Sequence, residues 1–126
     1  MITIIKLNNG LEIVGQKEYE NNDVLVLHRP LQINYRYFVG PSPSVSFVRY
    51  IMFGESHSIT FHKSHIISSV NARKSFIDVY DHHSNYYYAE HEKIIDSELQ
   101  LHKKTSDDED MKNFLDALSV EGASVN

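Results

Sequence analysis

The sequence predicts a mainly β protein: a five-stranded, strongly bent antiparallel barrel over residues 1–72, with an added C-terminal α-helix. Three observations carry this expectation. Short apolar runs with period-two alternation, separated by turn residues, continue to about Asn71. No Gly or Pro then occurs between Gly54 and Gly122. Over the same stretch Phe76, Tyr80, His83, Tyr87, His91, Ile94 and Glu98 recur at steps of three and four, the spacing of one helical stripe.

Ile2–Leu7 is a β-branched apolar run that ends in Asn8-Asn9-Gly10. Asn and Gly tolerate positive φ, so a hairpin turn is expected there, with Leu11–Glu18 as the return strand. Gly15 interrupts that second strand and reads as a bend that lets one strand serve two sides of a small barrel. Glu20-Asn21-Asn22-Asp23 is the next turn, and Val24–His28 follows it. Pro30 cannot donate to a ladder and marks an edge, a bulge or a strand that changes sheet. Beyond it, Leu31, Ile33, Tyr35 and Tyr37 alternate with Gln32, Asn34 and Arg36.

A loop over residues 39–44 leads to VSFVRYIMF (45–53), the most apolar strand of the chain, with two largely apolar faces. The last expected pair is Ser58–His62 and His65–Asn71, joined by a tight Lys63-Ser64 turn. A helical extension is expected over 73–104, with Ser84-Asn85 as a point where it can break. Residues 105–126 open with the acidic TSDDED. Met111, Phe114, Leu115 and Leu118 then stand at i, i+3, i+4 and i+7, and Ser106 and Glu109 have capping-box spacing. This tail is either a short amphipathic helix or disordered, since about 12 residues are marginal as an isolated helix.

The 126 residues suit one domain. The absence of Cys excludes disulfides and thiolate chemistry. No apolar run has the roughly 20 residues that span a bilayer, and the apolar start MITII is too short for a secretory signal. A cytoplasmic protein without a membrane partner is expected. The net charge of −5 is uneven. Residues 1–72 hold six Lys/Arg against five Asp/Glu, whereas residues 73–126 hold six against twelve. The β part therefore has no basic excess that would by itself argue for nucleic acid.

Leu7-x-x-Gly10-x-x-x-x-Gly15, followed by the Leu25–Leu27 strand, the alternating strand at 31–37 and FHKSHIISSV (61–70), resembles the Sm and LSm family. More narrowly, the order is similar to that of the divergent Sm-like proteins of cyanobacterial viruses. The resemblance implies an Sm-like (SH3-like) barrel, assembly of identical copies into a ring, and single-stranded RNA as a partner, with a phage protein acting in its host's cytoplasm. The RNA-contacting positions it implies are Asn21, Asn22 and Asp23 in the second turn and His62, Lys63 and His65 in the last. The chain departs from the family pattern at these turns. Glu20-Asn21-Asn22-Asp23-Val24 lacks the stacking aromatic, and His62-Lys63-Ser64 stands where the family has Arg-Gly.

A ring also follows from the residues alone. A strand apolar on both faces cannot hide both in one small monomer, and an open apolar edge must be paired or covered. Val45, Phe47, Val48, Tyr50, Met52, Ile66 and Ile67 are the expected oligomer interface, paired head-to-tail between copies. The competing reading is that the C-terminal helix covers one of these faces within the chain. A further alternative is a protein-interaction ring without RNA, in which the acidic C-terminal region recruits a partner.

His62-x-x-His65 has a metal-like spacing but no adjacent Cys or carboxylate, so no metal is expected. His82 and His83 point about 100° apart on a helix and cannot chelate one ion. There is no phosphate loop, nucleophile elbow or pair of facing carboxylates. Neither a catalytic residue nor a cofactor is expected, and the protein is read as non-enzymatic.

Overall fold

The computed structural model describes residues 1–36 and 44–103. It is mainly β, an antiparallel sheet followed by helix. The strands are β1 (Ile2–Leu7), β2 (Glu12–Glu20), β3 (Val24–Arg36), β4 (Ser44–Arg49), β5 (Ser58–His62) and β6 (Ile66–Asn71). A helix, α1 (Lys74–Asn85), and a π-turn (Tyr86–Glu90) follow. The chain separates into two compact units, Met1–Glu90 and His91–Asn126. Of the second unit, residues 91–103 are described, and they are helical. The expected tail over 105–126 and most of the loop over 39–44 lie outside the described residues.

The sheet order is β4-β3-β2-β1-β6, with β5 on β3 as well. Gly10 sits in the β1–β2 turn at φ +89°. There the Leu7 N–H donates to the Leu11 carbonyl at 2.8 Å, and the Asn9 side chain accepts from the Leu11 N–H at 3.0 Å. Gly15 lies where the β2–β3 register slips between Val14 and Gln16. A Cβ there would meet the Leu27 Cβ at 2.9 Å, so two strands approach too closely for a side chain.

β3 is the organising strand. Its first half, Val24–His28, pairs with β5, and its second half, Leu31–Arg36, pairs with β4 along the same edge. Between them Arg29 takes φ +52°, a left-handed conformation that costs an L-residue about 1 kcal/mol. Pro30 follows it and has no N–H to lose. The bend also changes which core the strand serves. Leu25 and Leu27 pack with Ile5, Leu7, Ile13 and Phe61. Leu31 and Ile33, at the same parity, pack instead with Val14, Phe47, Tyr80 and Tyr88.

Two sequence expectations are corrected here. The expected strand 45–53 stops at Arg49. Its partner edge on β3 is taken by β5 from His28 backward, so the β4 ladder has nowhere to continue. The chain instead turns: the Tyr50 N–H bonds the Pro30 carbonyl, and the Arg49 guanidinium donates to the Gly54 carbonyl. The expected 58–71 hairpin is a corner. β5 pairs with β3 and β6 with β1, joined by a 3-10 turn over Lys63–His65. The Lys63 N–H bonds the Asp23 carbonyl and the Asn8 N–H bonds the His65 carbonyl, each at 2.8 Å, so the turn is tied to both the β2–β3 and the β1–β2 connections. The described residues thus form six strands rather than five. The hydrogen-bonded ladder stays open, because β6 pairs with neither β4 nor β5.

α1 covers the second core with Phe76, Tyr80 and Ser84, and the wider π-turn brings Tyr88 to a buried position beside them. The Tyr80 hydroxyl donates to the carbonyls of His28 (3.1 Å) and Arg29 (2.8 Å), and that of Tyr88 to Pro30. The Arg49 guanidinium lies 4.5 Å from the Tyr88 ring centre. Burial pushes the Tyr80 hydroxyl up to about 12 and the Tyr88 hydroxyl higher still.

Candidate assembly edges and corner site

The residues of the two expected RNA-contacting turns meet at the corner. Asn21, Asn22 and Asp23 are exposed at the β2–β3 turn. The Asn21 side-chain oxygen accepts from the N–H groups of Asp23 and Val24, both at 2.8 Å, an Asx turn that holds the loop. Lys63 reaches it from the 3-10 turn through its backbone and through a 2.9 Å ion pair with Glu20. Glu20 also bonds Lys17 at 3.1 Å. The Lys63 hydrogen bond, then that of Lys17, holds the Glu20 carboxyl below its ordinary range. The charge of Lys63 is thus largely answered within the chain. His62 and His65 are exposed, with ring centres 6.2 Å apart. Among the described residues no group of three or more His, Asp or Glu side chains converges on a metal position.

One residue at this corner escapes a reading confined to the loop. Tyr19, the penultimate residue of β2, is 54% exposed, and its hydroxyl accepts from the Asn21 side-chain amide at 3.1 Å. The sequence signal lies in an aromatic at an outward β2 position just before the turn, outside the five residues in which an aromatic is expected.

The expected interface residues differ in burial. Phe47 is buried against Phe76 and His83, at ring distances of 5.7 and 4.6 Å, so α1 covers that face of β4 within the chain. Burial lowers the basicity of His83 there, and neighbouring His82 adds to it. Tyr50 and Ile66 pack on the first core. Val48 and Met52 are half-buried. Val45 and Ile67 face outward, the latter 61% exposed. Also exposed, though not among the expected positions, are Val70 on β6 and Ile51 and Phe53 in the turn after β4.

Two grooves border these features. One of about 270 Å³ runs along β6, with Leu25 and Ile66 among its apolar lining, Ile67–Ser69 along it and the Lys63–Glu20 pair beside them. The other, about 320 Å³, is lined by Gln16, Lys17, Glu18 and His28. Beside it the Ser58 hydroxyl donates to the Glu18 carboxylate at 2.5 Å, while His28 Nδ1 lies 3.3 Å from the Ser58 oxygen. With its proton committed to the carboxylate, Ser58 is a link between strands and not an activated nucleophile.

Comparison with protein-family models and with curated proteins finds no match. No helix among the described residues is long and apolar enough to cross a membrane.

Proposed function

We propose that this protein is an Sm-like, non-enzymatic module that assembles identical copies into a ring through its free strand edges. One observation carries the reading. Among the described residues β4 and β6 end the hydrogen-bonded ladder, and β6 is exposed on both faces, with Ile67 and Val70 outward. Unpaired backbone beside apolar side chains is a template for another strand, and a head-to-tail contact between unlike edges closes into a ring when its rotation permits. Light scattering on the purified protein tests this. A single closed oligomer is expected, and an Ile67→Lys/Val70→Lys variant is expected to be monomeric with an unchanged circular dichroism spectrum. Monodisperse monomer at micromolar concentration overturns the reading.

We further propose single-stranded RNA as the ring's ligand, bound at the corner, and, on the sequence resemblance alone, the cytoplasm, that of a host cell for a phage protein, as the place of action. Tyr19 offers an exposed ring for base stacking, worth about 1–3 kcal/mol per base in such sites. Asn21 is bonded to its hydroxyl, and His62, Lys63 and His65 on the adjoining turn supply further polar groups. Fluorescence anisotropy with U-rich and A-rich oligonucleotides is expected to show salt-dependent binding that Tyr19→Ala weakens about tenfold or more. No binding at low salt removes RNA and leaves the assembly reading intact.

A further inference from the structure

The turn that follows β4 is the most outward apolar feature near the sheet edges. Phe53 is 72% exposed and Ile51 is exposed beside it. The turn is built, not loose. The Gly54 N–H reaches the Ile51 carbonyl at 3.4 Å, and the buried Arg49 guanidinium holds the Gly54 carbonyl at 2.5 Å. A Cβ at Gly54 would meet the Ile51 side chain at 3.1 Å, so Ile51 lies directly against the turn backbone. A fixed turn that holds a phenyl ring in water is a standing hydrophobic cost unless something covers it.

We infer that Phe53 and Ile51 of one copy seat in the groove along β6 of the next. This rests on the proposed ring, and it names the anchor that makes the ring stable. Three arguments choose a second copy as the occupant. The first is area: a stable interface buries about 800 Å² on each partner. β4 and β6 are only six residues long, and few of their apolar side chains face outward. Strand pairing alone falls short of that figure, whereas a large aromatic adds roughly 150–250 Å². The second is position. The turn follows directly on β4, one of the two strands that end the ladder, so it stands at the end of the edge that a neighbour's β6 would pair with. The third is the receiving site. The groove at β6 joins apolar Leu25 and Ile66 to the Ile67–Ser69 strand, and its 270 Å³ is below the roughly 300–1,000 Å³ of small-molecule pockets. It is sized for one or two side chains.

Photo-crosslinking decides the matter, with p-benzoylphenylalanine at position 53 in an equal mixture of ¹⁵N-labelled and unlabelled full-length protein. The expected product is a mixed-isotope cross-link to the segment Lys63–Ser69. In parallel, Phe53→Ser and Ile51→Ser are expected to weaken assembly about tenfold or more without change in the circular dichroism spectrum. Wild-type monomer overturns both the ring and this contact. An oligomer that persists undiminished in both variants overturns the contact alone. So does a cross-link confined to the labelled chain's own residues, including its own 104–126, or one to any other segment of a neighbour.

Discussion

The Tyr80 hydroxyl donates to the Arg29 carbonyl at 2.8 Å, from α1 to the bend at which β3 changes both its pairing partner and its core. The same hydroxyl reaches the His28 carbonyl, and Tyr88 secures Pro30. Arg29 has left-handed backbone, so these bonds hold a conformation the chain would otherwise leave. Tyr80→Phe keeps the ring and removes the donor. The expected loss is about 1–3 kcal/mol, because buried carbonyls are left underpaired. Urea denaturation measures it, and a loss below experimental error would show that the bend holds without the helix.

Gly15 yields a sharper expectation than Gly10. A Cβ at Gly15 would stand 2.9 Å from the Leu27 Cβ and 3.3 Å from the His28 carbonyl oxygen, so Gly15→Ala forces β2 and β3 apart in the core. The expected cost is about 1–3 kcal/mol. At Gly10 there is open space but φ is +89°, so Gly10→Ala is expected to cost about 1 kcal/mol, from backbone strain alone. Thermal melts of the two variants check the order; equal losses would contradict it.

Alkaline pH reads the buried tyrosines. The folded Tyr80 titrates near 12, against an ordinary value of 10.0. Between those values the folded state holds a proton that the unfolded chain has released. Stability is therefore full below pH 10 and falls as pH rises through 12, by about 3 kcal/mol for this residue. Tyr88 shifts in the same direction. Unfolding free energies across this range, compared between wild type and Tyr80→Phe, are expected to show a shallower decline in the variant.

The corner titrates at the other end of the scale. Glu20 is held below its ordinary range chiefly by Lys63, so its stabilising contribution is present above the ordinary carboxylate pKa and fades as pH falls through the folded value. In Lys63→Met the Glu20 carboxyl is expected to titrate higher, though still under the influence of Lys17. Carbon-detected NMR of the side-chain carboxylates follows it directly.

These residues also show what a sequence can and cannot disclose. Asn8-Asn9-Gly10 announces its turn because the requirement is local: positive φ within a few residues. The change from strand to helix after residue 72 is legible for the same reason, as one period gives way to another. β4 reads as nine residues because its apolar run continues to Phe53, yet it stops at Arg49 because β5 has taken the edge ahead. That is a fact about a distant segment. The corner at Lys63–His65 looks like a hairpin in sequence, since two strands flank a short turn; only the partners β1 and β3 distinguish them. Nothing near Phe47 in sequence shows that α1 packs over it, and Tyr19 joins the corner by a fold that brings Lys63 to Asp23. Periodicity carries none of this.

The bend in β3 also sets a timetable. Arg29 leaves the ribosome early, but the hydroxyls that hold its segment follow 51 and 58 residues later. β1 likewise waits for β6 before its second edge is paired. A nascent chain that has reached residue 72 has β1 to β6, but its Val14, Leu31 and Ile33 side chains have no helix over them. Until Tyr88 emerges, that second core stays open, and uncovered apolar surface of this kind is what makes incomplete chains prone to aggregate.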